Sequence, residues 1–205
     1  MAPTRLDHSE NVQFPGTWTP DGRTVLWAEG TTLASLDIKA ISVGGEPAAR
    51  PILATRFSEY NPELSPDGRW LAYVSNETGR DEVYVRAFPD LGGKRVISRT
   101  GGNSPAWSLD GRKLLYLSPP SKPGESMWQL MELDVTLDSA FTATLARPLF
   151  EPMFAPDLVR TYDLTRNADR FIFLRIRHPP ATSAPREIHV VQNWTEELKR
   201  LVPAN

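Results

Sequence analysis

The 205 residues carry 23 basic and 25 acidic side chains with no basic block, which excludes the electrostatic footprint of a nucleic-acid binder. Cysteine is absent, so no disulfide framework, thiolate metal site or thiol nucleophile is available. No run approaches the ~18 apolar residues that a membrane helix needs, and 19 Pro with 13 Gly suit an all-β chain with many turns.

Met1 to Asn11 are polar, with no apolar segment of the signal-peptide kind. Strands are predicted near 17–19, 24–28, 32–38 and 51–54, with a turn at Pro20-Asp21-Gly22-Arg23 and a loop at Gly44-Gly45-Glu46-Pro47. That loop is no phosphate cradle, since neither Lys nor Ser follows at the required spacing and no helical pattern follows. Next, Leu64-Ser65 ends a strand and Pro66-Asp67-Gly68 turns the chain. Pro presets φ, Asp tolerates the second central position, and Gly takes the positive φ that follows. Trp70-Leu71-Ala72-Tyr73-Val74 is then apolar on both alternating faces, so it must be covered on both sides. The loop Asn76-Glu77-Thr78-Gly79-Arg80 leads to strands at 83–88 and 95–98.

The third group has strands near 105–108, 113–117, 127–133 and 147–150, with the turn Leu109-Asp110-Gly111-Arg112. A Pro-rich loop covers 118–124, and the insertion 134–146 is expected to hold a helical turn within 136–141. The fourth has strands near 160–164, 170–175 and 186–191, a worn turn at Arg166-Asn167-Ala168, and a short helix over 196–201 stopped by Pro203. No fourth strand is visible there. Residues 4–6 are expected to fill that gap by pairing with 186–191.

The turns set a register. Taking Asp21, Asp67, Asp110 and Asn167 as zero, position −3 is Trp18, Leu64, Trp107 and Leu164. Position +6 is Trp27, Tyr73, Tyr116 and Phe173, and +4 and +5 are apolar each time. The spacings of 46, 43 and 57 residues, with four strands per unit, point to a β-propeller.

The run Trp-Ser/Thr-x-Asp-Gly-Arg, seen from Trp18 and again from Trp107, followed by an apolar strand, resembles the TolB-type, WD40-like propeller repeat. Residues 73–89 and the tail 188–199 are similar to the propellers appended to bacterial serine/threonine protein kinases. The fourth repeat departs from the pattern, with Asn167-Ala168 for Asp-Gly and Arg166 where Pro is usual. The resemblance implies one all-β domain over 1–205, with blades at about 14–56, 57–100, 101–157 and 158–205 and with 1–13 closing the last blade. It also implies an extracytoplasmic or periplasmic setting. A closed four-blade ring, an eight-blade ring shared by two chains, and a fragment of a longer protein all fit.

Catalytic constellations are not expected. His8, His178 and His189 form no metal-binding pair and read as structural residues; Gly124-Glu125-Ser126-Met127-Trp128 lacks the second Gly of a nucleophile elbow; kinase motifs are missing. No cofactor and no metal are expected. The acidic pairs read as solvated loops and the repeat aromatics as inter-blade core. The turn residues Asp21, Gly22, Asp67, Gly68, Asp110 and Gly111 read as structural. Binding is assigned to a loop face through Asn76, Glu77, Arg80 and Arg86. The expected function is a non-enzymatic module for a protein or peptide partner, without membrane insertion and with homodimerisation through ring completion in view. The alternatives are the propeller part of an enzyme, as a prolyl-peptidase-like gate or a carbohydrate lyase, and a degraded gene fragment.

Overall fold

The computed structural model describes residues 6–44, 48–121, 127–138, 140–150, 160–165 and 170–173. The backbone divides into two units, Met1–Arg175 and Ile176–Asn205, and every described residue belongs to the first. The expectations for 4–5, Gly124 to Ser126, Asn167, His178, His189, the strand at 186–191 and the helix at 196–201 fall outside the described residues.

The described chain is all-β. Strands β1 (Val12–Trp18), β2 (Thr24–Gly30), β3 (Leu36–Ser42) and β4 (Arg50–Leu53) form one antiparallel meander in sequence order. A second contains β5 (Glu59–Leu64), β6 (Trp70–Ser75), β7 (Glu82–Ala87) and β8 (Arg95–Val96). The third holds β9 (Asn103–Trp107), β10 (Lys113–Ser118) and β11 (Gln129–Leu137), edged by β12 (Phe141–Ala143) and β13 (Arg147–Pro148), which both pair with β11. Strands β14 (Tyr162–Leu164) and β15 (Phe171–Phe173) pair as a fourth sheet, two-stranded among the described residues. Three successive meanders of this kind, followed by a further antiparallel pair, are laid out as propeller blades.

Alternation along the middle strands explains the stacking. Leu26 and Leu71 pack together with Tyr73 and Tyr84, joining the first two sheets. Ala72 and Val74 look the other way and meet Trp107, Leu114 and Tyr116 of the third sheet. Leu115 and Leu117 in turn meet Tyr162 and Leu164. Leu26, Leu71, Ala72, Leu114 and Leu115 have no exposed surface. Each fully buried Leu contributes roughly 1.5–3 kcal/mol, so the apolar faces account for the sheet order.

The turns repeat atom by atom. The hydroxyl at position −2 donates to the Asp carboxylate at 2.6 Å in all three cases: Thr19 to Asp21, Ser65 to Asp67 and Ser108 to Asp110. Each carboxylate also accepts the amide two residues on, from Arg23, Arg69 and Arg112 at 3.0–3.1 Å. The same hydroxyl accepts the amide that opens the next strand, from Thr24, Trp70 and Lys113. Gly22, Gly68 and Gly111 follow with φ of 67°, 72° and 70°, the left-handed region where a Cβ is penalised. In the fourth repeat, Thr165 still accepts the amide of Arg170 through its hydroxyl.

Three expectations need correction. The strand expected at 32–38 begins at Leu36, because Thr32 and Ser35 engage each other in a turn, through a 3.2 Å backbone bond and a 3.0 Å hydroxyl contact. Such local hydroxyl bonds compete with ladder pairing. The helical turn expected within 136–141 is a β-hairpin, with Val135 opposite Ala143 and Leu137 opposite Phe141. The strand expected at 95–98 stops at Val96. Ser98 leaves the ladder because its hydroxyl accepts the Val83 amide at 2.8 Å and donates to Glu82.

The hairpin is anchored rather than dangling. Phe141 is buried at the junction of the second and third sheets, 5.6 Å from Trp70 and edge-on to Trp107 at 6.1 Å. Arg69, beside the second turn, donates to the carbonyls of Leu137 and Asp138.

Replacing Phe141 by Ala should cost about 3–5 kcal/mol by cavity formation, read as a lower denaturant midpoint. A loss below about 1 kcal/mol would show that the hairpin is peripheral. The turns predict an acid response. Asp21 and Asp110 are held below their ordinary value mainly by the Thr19 and Ser108 hydroxyls. Burial pushes Asp67 up, but the Ser65 hydroxyl and the Arg69 amide and guanidinium outweigh it. A depressed carboxyl contributes stability above its unfolded pKa, near 3.8, and loses it as pH falls through the folded value. The variant Asp21→Asn/Asp67→Asn/Asp110→Asn should therefore lose less stability than the parent between about pH 4 and pH 2, in melts across that range.

Candidate functional site: the inner-strand cleft

The innermost strands of the blades converge on a cleft of about 220 Å³, lined by Gly16, Asn61, Glu63, Ser104, Pro105 and Arg160 among others. Strands β1, β5 and β9 each carry a register shift at this depth: between Pro15 and Trp18, between Tyr60 and Glu63, and where Leu115 and Leu117 pair with β9. Such bulges re-aim side chains. Asn61 and Ser104 take positive φ, 50° and 51°, and Pro follows each of them. A proline here has no N–H to lose from the ladder, so the bulge is where it fits.

Polar groups link the inner strands. The Asn61 carboxamide donates to Asn103 Oδ1 at 2.7 Å, and Asn103 Nδ2 donates to the Tyr60 hydroxyl at 3.2 Å. Asn103 Oδ1 also accepts the Ser104 amide at 2.6 Å. Tyr162 donates from its hydroxyl to the Ser104 carbonyl at 2.7 Å, and the Trp107 indole N–H donates to the Glu63 carbonyl at 3.1 Å. The charged pair is Glu63–Arg160 at 3.0 Å, with side chains 23% and 29% exposed, and Asp163 lies 3.9 Å from the same guanidinium.

Burial sets the titration of this region. It raises the Glu63 carboxyl above its ordinary value against the opposing pull of Arg160. For Arg160, burial works downward, but the Glu63 carboxylate outweighs it and holds the guanidinium charged. Burial also raises the Tyr60 and Tyr162 phenols, so both stay protonated donors. The cleft thus offers a carboxylate, a guanidinium and carboxamides at fixed positions, a set suited to holding polar backbone or side-chain groups.

The loop residues singled out from sequence lie elsewhere. Asn76, Glu77 and Arg80 share the β6–β7 loop and are engaged within the chain. Asn76 Oδ1 accepts the Ser58 amide at 3.0 Å, Glu77 pairs with Lys94 at 2.7 Å, and Arg80 pairs with Glu82 at 2.6 Å while donating to the Arg99 carbonyl. Arg86 is not in that loop. It lies opposite Leu71, whereas the loop end of the hairpin is the Ser75–Glu82 pair. Its Nε is buried without a hydrogen-bond partner among the described residues. The turn residues close the β1–β2, β5–β6 and β9–β10 hairpins, at the other end of β6 from that loop. His8 is exposed, and no group of three or more His, Cys, Asp or Glu is placed to hold a metal among the described residues.

Sequence reasoning passed over Asn61, Glu63, Asn103 and Arg160. One signal was available: a polar residue followed by Pro stands six and five positions before the turn Asp in two repeats, as Asn61-Pro62 and Ser104-Pro105.

No family model matches this chain. A stretch of 126 residues is 29% identical to the uncharacterized Agrobacterium fabrum protein Atu1656, covering 56% of this chain and 42% of that protein. Among solved structures, TolB of Acinetobacter baumannii superposes with a TM-score of 0.55 at 15% identity, over 77% of this chain and 36% of that one. A candidate TolB of Agrobacterium tumefaciens gives 0.53 at 20% identity, over 62% and 47%. A prolyl endopeptidase gives 0.50 at 13% identity, over 78% and 25%. These likenesses establish the β-propeller fold, which TolB-type proteins share. The chain spans less than half the length of each.

Glu63 yields a pH test. A carboxyl whose folded pKa is raised favours folding below its unfolded value, and that advantage is lost as pH rises through the folded value. The parent should lose stability from about pH 4.5 toward neutrality relative to Glu63→Gln. Parallel pH-stability curves for the two proteins would show that Glu63 does not titrate as its burial dictates.

Proposed function

We propose that this chain is a non-enzymatic binding module of a larger propeller-type protein, and that a peptide segment of a protein partner is held at its inner-strand cleft. The observation behind the reading is the convergence of Asn61 and Glu63 of β5, Ser104 of β9 and Arg160 before β14 on one half-buried polar cleft. Peptide recognition needs donors and acceptors fixed in advance, because ordering them on binding costs affinity. The bulges and the Asn61–Asn103–Tyr60 chain supply that rigidity.

The likeness to TolB structures supports a binding role only through the fold, since fold does not settle function. The prolyl endopeptidase likeness has the same standing and leaves a second reading, a propeller part of an enzyme. The run from Tyr73 to Pro89 favours a signalling protein of the kinase-associated kind, placed on the extracytoplasmic side. Ring completion by a second copy is the assembly we propose for the isolated chain, with a solution mass by light scattering of twice the chain.

Peptides selected from a random library on the whole chain should lose about tenfold or more in affinity, roughly 1.4 kcal/mol, for Asn61→Asp and Glu63→Gln. Asn76→Ala should leave them unchanged. The opposite pattern would move the partner to the loop face. Peptide or glycan cleavage that survives purification and is lost on a point change at His178 or His189 would overturn the non-enzymatic reading.

A further inference from the structure

The outer rim of the second and third blades carries a different kind of site. The outer strand of the first blade has four residues, but β8 has only Arg95–Val96. Beside the end of β8, the second and third sheets part at the outer edge over buried core residues of the third sheet. The opening is a cleft of about 400 Å³ with Tyr116, Ser118, Met131 and Leu133 as its floor. The register places these on one face, with Tyr116 opposite Met131 and Leu114 opposite Leu133. One wall is the chain from Arg95 to Thr100, and the other runs from Phe141 to Ala146, where the outer edge of the third sheet is broken between β12 and β13.

The chemistry of the lining is one-sided. Tyr116, Met131, Leu133 and Phe141 give it an apolar base, Thr100, Ser118 and Thr144 add hydroxyls, and Val96 and Leu145 stand 54% and 71% exposed at the rim. The charged side chains are two guanidiniums, Arg95 and Arg99, and no carboxylate lines the cleft. Neither arginine has an ion-pair partner among the described residues. Glu82, whose charge reaches Tyr116, is already bonded to Arg80, to the Ser98 hydroxyl and to the Gly101 amide. The Tyr116 phenol and the Ser118 hydroxyl have no hydrogen-bond partner among the described residues. Burial raises the Tyr116 phenol, so it remains a donor.

We propose that this rim cleft binds a small amphiphilic carboxylate: an aromatic or branched apolar body on the Tyr116–Met131–Leu133 floor, with its carboxylate toward Arg95 and Arg99. The volume lies in the range of small-molecule sites, which are apolar with a few orienting polar groups. Guanidinium–carboxylate bonds are stronger than neutral ones and match in shape. The site is separate from the inner-strand cleft and shares no lining residue with it.

The test is calorimetric titration of the whole chain with 2-naphthoate and with its uncharged analogue 2-naphthamide. One naphthoate should bind per chain, and the amide about tenfold or more weaker, as loss of a charge-assisted contact requires. Arg95→Gln/Arg99→Gln should weaken naphthoate to the level of the amide. Ala143→Trp should fill the cleft and abolish binding of both, while its melt stays cooperative. Glu63→Gln should change nothing, which separates this site from the inner-strand one. Failure to saturate at millimolar naphthoate, equal affinity for acid and amide, or unchanged binding by Ala143→Trp would each overturn the proposal. So would tight binding of a tetrapeptide of alternating acidic and apolar residues where naphthoate does not bind, since the cleft would then take a peptide.

Discussion

The constraint on which everything else depends is that the middle strands are apolar on both faces. A sheet of four strands cannot cover two such faces, so each blade is unstable without neighbours. Leu71 on one face of β6 and Ala72 on the other belong to different inter-blade cores, yet both lose all exposure. The stacking then fixes where strand ends fall. Turns gather at one end of the inner hairpins, the β6–β7 loop lies at the other, and the inner strands come together at the cleft.

Polar groups refine this arrangement rather than drive it. Glu29, Glu82 and Glu132 are each almost fully buried, and each is met by cations: Lys39, Arg80, and Lys113 with Arg147. Burying a charge costs several kcal/mol, which a partner and further hydrogen bonds offset only when geometry is good. The three glutamates meet that condition in different ways. Glu29 also accepts from Gln13, Asn11 and the Trp27 indole, and together they hold it well below the usual carboxylate range against the effect of burial. These networks tie strands within a blade, so they define register where the apolar contacts only define proximity.

The blade pattern was legible because it rests on local rules. A hydroxyl, an Asp and a Gly at fixed spacing form the same three hydrogen bonds wherever they occur, and period-two alternation announces a strand covered on both faces. What was not legible depends on partners distant in sequence. Nothing near Phe141 reveals that Trp70 lies against it, 71 positions earlier, so residues 136–141 read as a helical turn. Arg86 looked like a contact residue because Arg is frequent at interfaces, but its place along β7 is set by the pairing with Leu71. Ser98 fitted a strand by spacing, yet the buried carboxylate of Glu82 claims its hydroxyl. The inner cleft was missed for the same reason: Glu63 and Arg160 are 97 positions apart, and only the stacking of successive sheets brings them within 3.0 Å.

The two clefts arise from opposite departures from regular pairing. At the inner strands, an extra residue is accommodated by bulges at Asn61 and Ser104, which turn polar side chains into the converging space. At the rim, the ladder ends at Val96 because Ser98 is drawn to Glu82, and a cleft opens beside that end instead. A bulge keeps the backbone bonded on either side, so its side chains are held rigidly. A truncated edge strand leaves a gap at the edge without disturbing the neighbouring core. The first device suits recognition of polar groups at set distances; the second suits an apolar body whose orientation is fixed by one charged end. A repeat fold can acquire both without disturbing its stacking contacts, because the changes fall at the inner and outer edges of the blades and the shared apolar faces lie between.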